Sequence, residues 1–446
     1  MLTVFARSRR LSMLMLLSVV VVPAHAGAQA HLSLADAITR AGTQNLDARS
    51  AEVAERRAAY RVSEARAGLL PVVEASETLQ RGNQPVFVFG SLLGQRRFAA
   101  SNFAIDALNR PDAVGNLRTA LSIEQGLFDP VTRTAVHTAT LAHEAATIGR
   151  SRLTQDLAVA VTGAYGAVLS ADAVRLASTA AVETATADLA LARSRRDAGV
   201  VTDADVLQVE VSLAQMRAQQ IRANADVSIA RARLNQILGE PLDTVFDLEV
   251  APAPSAPVDV SLAALEAAAL AARPDVKLAA LQEQLAASAV DAARAAFLPR
   301  VTVQAGWEAN SGVWHAPASS WVMGAAGQIN VFRGFADRAR IAEAREQQSQ
   351  RALERQQADI AVRLDVRVAL AQLEAARAAE VVGRAAVAQA RESHRIIRDR
   401  YEGGLVDVSA LVRAAEVVQQ ADARQAAAHV DVMLAGAALD RAVGTR

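Results

Sequence analysis

The sequence predicts a mainly helical chain with a small β part, built from two internal repeats. Three observations carry that prediction. The stretch Glu64-Ala-Arg-Ala-Gly-Leu-Leu-Pro-Val-Val73 recurs as Ala292-Ala-Arg-Ala-Ala-Phe-Leu-Pro-Arg-Val301, about 228 positions later. Behind each Leu-Pro the alanine-rich helical pattern stops. The second copy then alternates apolar and polar residues through Val301-Thr-Val-Gln-Ala-Gly-Trp-Glu-Ala-Asn310, the period of a strand with two unlike faces. Each copy also holds one helical run of about 67 residues without proline, which makes a rod of roughly 100 Å.

Composition narrows the function classes. The 47 basic and 47 acidic residues cancel, so charge gives no case for a nucleic-acid partner. Aromatic residues make up only 4%, and small alanines suit closely packed helices. The chain has no cysteine, which rules out disulfides, cysteine-ligated metals and a lipidated N-terminal cysteine. The histidines His25, His31, His137, His143, His315, His394 and His429 show no metal-ligand spacing, and a lone helical histidine reads as a surface residue. No nucleophile elbow or phosphate loop occurs, so no enzyme activity, cofactor or metal is expected.

Taken in order, residues 1–26 read as a signal peptide: Arg7, Arg9 and Arg10, the apolar run Leu11–Val22, then Ala24-His-Ala26. No later stretch has 18 uninterrupted apolar residues, so no transmembrane helix is expected and any membrane contact falls to the strands. The first repeat, residues 27–250, opens with a short helix over 32–41 capped by Ser33. A second helix runs from Asn45-Leu-Asp47 to about Leu69. Strands near 72–80 and 117–128 are joined by an insert of about 36 residues, far longer than a hairpin loop, containing Pro85-Val-Phe-Val-Phe-Gly90, Phe98 and Phe103. A long helix follows over 131–197, then a turn and a return helix to Gly239.

A proline-rich linker, residues 251–259, leads to the second repeat, residues 260–446. There the junction between short helices is Arg273-Pro-Asp275, and the strands, near 301–310 and 321–332, form a compact hairpin. The long helix covers 335–402 before its own turn and return. Gly199 and Gly404 suit the left-handed position that ends a helix, with Thr202 or Asp203, and Asp407 or Ser409, able to cap the next. All three tryptophans, Trp307, Trp314 and Trp321, fall in the second strand region, and a tryptophan ring suits a membrane–water interface. Four strands cannot bury their own edges in lipid, so a spanning sheet must close, and closure needs several copies of the chain.

With this order of elements on the page, the chain resembles the outer-membrane efflux protein (TolC) family. The doubled short helices, the Ala-Arg-Ala…Leu-Pro junctions, Leu127-Phe-Asp129, Val331-Phe-Arg333 and the two Arg-x-x-Gly turns carry the resemblance. It implies a homotrimer in the outer membrane of a Gram-negative bacterium, with a twelve-stranded β-barrel continuous with a periplasmic α-helical barrel. The implied function is the passive exit duct of a tripartite efflux or type I secretion system, served by a periplasmic adaptor protein and an inner-membrane pump. It also implies adaptor-docking tips at Ala198, Gly199, Val200, Gly403, Gly404 and Leu405, and a periplasmic gate near Asp205, Tyr401, Asp407 and Arg413. Relatives often carry carboxylates just after the second turn; Ala410 and Arg413 depart from that pattern, which points to a less cation-selective constriction. A non-pore periplasmic coiled-coil adaptor or scaffold is the alternative reading.

Overall fold

The computed structural model describes residues 30–249, 261–313 and 317–445. The expected signal sequence, the linker and Trp314 lie outside the described residues. The chain opens with β1 (Ala30–Leu32), α1 (Leu34–Gln44) and α2 (Leu46–Ala67). Ser33 caps α1 by accepting from the Asp36 amide, and Asn45 caps α2 by accepting from the Asp47 and Ala48 amides. Strand β2 (Val72–Gly82) follows, then α3 (Pro85–Gly94), a 3-10 turn over Ala100–Phe103, α4 (Ile105–Asn109) and β3 (Val114–Phe128). Asp129 accepts from the Val131 and Thr132 amides and starts α5 (Pro130–Asp197), with α6 (Asp203–Leu238) returning beside it to β4 (Phe246–Leu248).

The second half runs α7 (Leu262–Ala272), α8 (Pro274–Ala295), β5 (Arg300–Ser311), β6 (Ala318–Gln328), α9 (Ala336–Glu402) and α10 (Val408–Val443). The helices match in length across the halves: 11 residues in α1 and α7, 22 in α2 and α8, 68 and 67 in α5 and α9, 36 in α6 and α10. The junctions between short helices also play the same part. Asn45 donates to the Ile237 carbonyl near the end of α6, and Arg273 donates to the Ala442 carbonyl near the end of α10. Each return helix then stops at a glycine in the left-handed region, Gly239 at φ 77° and Gly444 at φ 81°.

Three apolar clusters hold the helices together. At the waist of the first half, Leu32, Val161, Tyr165, Val168, Leu234 and Leu238 interlock, and the Tyr165 hydroxyl lies 2.8 Å from the Leu32 carbonyl and 2.6 Å from that of Glu249. Leu265, Val362, Val366, Leu373 and Leu439 form the counterpart in the second half. A third cluster, described below, sits at the helical tips. Where α5 crosses α10, Gly166 is in contact so close that a Cβ would lie 2.8 Å from Val430 Cγ1, which is why the crossing uses glycine.

Four differences from the sequence reading stand out. The insert between β2 and β3 is not an extended loop: it folds into α3, the 3-10 turn and α4 around edge-to-face contacts of Phe98 with Phe89 and Phe103. The last strand spans Ala318–Gln328, not 321–332; Gly334 and Phe335 at φ 59° and 63° turn the chain into α9 instead. Strands β1 and β4 pair in parallel, three residues each, which no periodicity could reveal. Finally, α5 is long and apolar enough by length and composition to cross a membrane. Its small apolar residues serve helix packing, with Val161 and Tyr165 fully buried inside the chain, and a core helix meets the same criterion.

Candidate functional site

Two regions gather the residues singled out in the sequence: the sheet at one end and the tips of the helical hairpins at the other. The sheet order is β2-β3-β5-β6, all antiparallel, so β2 and β6 are edges that pair on one side only. Register places Ala75, Leu121, Trp307 and Trp321 in one cross-strand row. By alternation, Val73, Leu79, Ile123, Val303 and Met323 share that face, which is mainly apolar and largely exposed, with Glu77, Arg81 and Thr119 among its polar exceptions. The other face carries Glu74, Ser76, Thr78, Ser122, Glu124, Gln304, Glu308 and Asn310, with Val72 and Val322 among its apolar exceptions. On it Arg118 and Glu308 pair at 2.7 Å. Strands of 11, 15, 12 and 11 residues meet the length a tilted spanning strand needs. Trp307 and Trp321 are direct cross-strand partners.

The tips are built alike. At the first, the Val200 amide reaches back to the Arg195 carbonyl and Gly199 to Arg196; at the second, Leu405 reaches Arg400 and Gly404 reaches Tyr401. This double closure requires a left-handed residue, supplied by Gly199 at φ 74° and Gly404 at φ 75°. Thr202 and Asp407 then cap α6 and α10, so of the two candidates at each tip these are the ones used. Val200 and Leu405 are left 60% and 77% exposed, apolar side chains on open turns.

Just behind the tips the two hairpins lock together. Tyr401 is 1% exposed and packs with Leu189, Ala192, Val206, Val209, Val408 and Leu411. The Arg195 guanidinium lies 4.8 Å from the Tyr401 ring centroid and donates to the backbone carbonyls of Tyr401 and Glu402, the latter at 2.9 Å. A cation at the C-terminal end of α9 also opposes the helix dipole there. Burial raises the Tyr401 hydroxyl above its ordinary value, and that hydroxyl has no partner among the described residues. Further along, the buried Asp188 of α5 faces His394 at 3.8 Å and Arg398 at 3.7 Å on α9.

The structure thus brings Tyr401 to an interhairpin contact, while the other expected gate residues have simpler surroundings. Asp205 belongs to the α6 capping box: its carboxylate accepts from the Thr202 amide at 2.8 Å and from the Thr202 hydroxyl, which hold it below the usual carboxylate range. Asp407 accepts from the Ala410 amide at 2.9 Å. Arg413 is exposed with no partner among the described residues. Sequence reading missed Arg195, Asp188 and Arg398, and His394 is a half-buried interhelix residue, not a surface one; His429 likewise meets Glu380 at 3.0 Å. Their partners sit about 200 positions away on the other hairpin for the first group, so no local pattern marks them. Among the described residues no cluster of three or more acidic or histidine side chains is placed to hold a metal ion.

The architecture is shared with solved structures. An outer membrane channel, CmeC of Campylobacter jejuni, matches at a TM-score of 0.80 and 16% identity, over 92% of this chain and 85% of that one. A membrane protein from Pseudomonas aeruginosa matches at 0.77 and 20%, over 92% and 93%. The outer membrane channel MtrE of Neisseria gonorrhoeae, in an open state, matches at 0.71 and 18%, over 92% and 88%. No curated protein sequence matches. A family model described as outer membrane efflux protein matches residues 37–240 and 265–445, which takes in both hairpin tips, all four strands of the sheet and both sets of short helices. The chain therefore belongs to the outer membrane efflux protein family.

Proposed function

We propose that this protein is the passive exit duct of a tripartite efflux or type I secretion system, receiving substrates from an inner-membrane pump through a periplasmic adaptor. The observation that carries the reading is the four-stranded sheet with one mainly apolar face, one mainly polar face and two unpaired edges, joined through Asp129 and through the short segment 329–335 to helices of 68 and 67 residues. A spanning sheet cannot leave edges in lipid. Three copies closing β6 on a neighbour's β2 give a twelve-stranded barrel with its apolar face to lipid and its polar face to a lumen. Rods of roughly 100 Å then continue that lumen through the periplasm as a helical barrel.

In this reading the chain consists of two structural repeats, residues 27–250 and 260–446, joined by the linker 251–259, behind a cleaved signal sequence 1–26. Ala198, Gly199, Val200, Gly403, Gly404 and Leu405 present the adaptor-docking surface. Tyr401, with Asp205, Asp407 and Arg413, stands at the periplasmic constriction, and Trp307 and Trp321 sit at the membrane-facing surface. Purified protein reconstituted into planar bilayers is the test. The duct reading expects discrete conductance steps and loss of drug or polypeptide export in a deletion strain; a protein that inserts in no bilayer and stays in the soluble periplasmic fraction would support the scaffold reading instead.

A further inference from the structure

The insert between β2 and β3 packs on one particular face of the sheet. Gln95, just past α3, donates to the Asn116 side chain and to the Gly115 carbonyl, each at 2.9 Å. Asn116 in turn donates to Asn310 at 2.8 Å. These two asparagines are only 7% and 5% exposed, although they belong to the polar face of the sheet. Gly94 lies against the Asn310 side chain and Gly312 against Arg97 and Gln95, while Arg96 donates to the Ser319 carbonyl at 3.0 Å. The insert therefore lies across the ends of β3, β5 and β6, and its polar anchor is made with Glu308's neighbours, not with the row of Trp307 and Trp321.

That placement has a consequence if the polar face lines a lumen, the reading on which this inference rests. The end of the sheet bearing the insert is the one away from the long helices, because β2 leaves α2 at Val72 and reaches the insert at Gly82. We infer that residues 83–113 form an inward-folded lid over the outer mouth of the duct and set the size of molecule that passes it. Hydrogen bonds among buried side chains fix the lid's position, since a buried amide left without its partner is costly. The phenylalanine cluster of Phe89, Phe98 and Phe103 gives it a core of its own.

The absence of native cysteine makes the test direct. Ser122→Cys places a thiol on the polar face below the lid, and Met323→Cys places one on the apolar face. Cells carrying each variant in the full chain are treated from outside with a small cationic methanethiosulfonate or with a maleimide bearing a polyethylene glycol chain of several kilodaltons. The lid predicts that Ser122→Cys reacts with the small reagent and is protected from the bulky one. Replacing residues 83–113 by Asn-Gly, a two-residue turn that joins the register pair Gly82 and Val114, raises bulky labelling by an order of magnitude. Gln95→Ala, which keeps the insert and removes its anchor, raises it partway and covers the case in which the shortened chain fails to fold. Equal bulky labelling of Ser122→Cys in the parent and in both variants, whether high or low, overturns the lid. Small-reagent labelling at Met323→Cys with none at Ser122→Cys overturns the lumen assignment itself.

Discussion

Removing the charge of Arg195 while keeping its apolar stem, as in Arg195→Met, isolates the lock behind the tips. The guanidinium donates to two carbonyls at the end of α9, one partly buried and one exposed. A hydrogen bond from a charged group to the partly buried carbonyl contributes about 1.5–3 kcal/mol. Stacking on the Tyr401 ring adds about 0.5–1 kcal/mol at a partly exposed site. Against these, the Arg195 Nε is buried without a partner, which offsets about 1 kcal/mol. The net is about 2 kcal/mol, or about a 30-fold shift between locked and released tips. Hydrogen exchange reads it at the amides of Gly403, Gly404 and Leu405, whose acceptors lie in that last turn. These amides exchange on the order of 30-fold faster in Arg195→Met, and Arg195→Lys, which keeps a charge but not the planar fork, falls between. Exchange in the variant within about threefold of the parent would refute the assignment, because about 0.6 kcal/mol is too little for a lock.

Three further outcomes are expected. Gly239→Ala combines a left-handed backbone with a Cβ that would meet the Gln44 carbonyl oxygen at 2.6 Å, so it lowers stability by about 1–3 kcal/mol in thermal unfolding, whereas Gly149→Ala, with open space around it, does not. Burial, reinforced by the nearby Glu249, pushes the Tyr165 hydroxyl up to about 12 from 10.0; its raised value means its stabilisation is complete below about pH 10 and is lost as pH rises towards about 12. Melting temperature should fall across that window in the parent, and Tyr165→Phe should begin about 1 kcal/mol less stable and show a smaller fall. Arg413→Asp adds a carboxylate at each copy of the constriction and raises cation selectivity in bilayer reversal potentials; an unchanged potential would remove Arg413 from the pore lining.

Features written in local chemistry were legible in the sequence. Ser33, Thr202 and Asp407 cap helices because a short polar side chain before a helical run has few better uses, and Gly199 and Gly404 end the rods because only glycine accepts that backbone cheaply. The Leu-Pro junctions marked where helix gives way to sheet for the same kind of reason. The insert was not legible: Val-Phe-Val-Phe favours a strand by propensity, and α3 forms there because Pro85 starts it and distant Asn116 and Asn310 receive its end. Strand β6 stops before the apolar run Val331-Phe332 does, because the turn at Gly334 and Phe335 is set by the start of α9. Among the tip residues, Tyr401 was reached only through the family resemblance, while Arg195 and Asp188 are ordinary helix residues until the second hairpin packs beside them.

The central claim is that the open sheet of one chain closes only with copies of itself in the outer membrane. Its most direct test is the mass of the mature protein, by sedimentation after gentle detergent extraction of separated outer and inner membranes. The account predicts three chains per particle, recovered from the outer membrane. A single chain recovered without detergent from the periplasm would contradict it, since the apolar face and the edges of β2 and β6 would then have no lipid and no neighbour to meet.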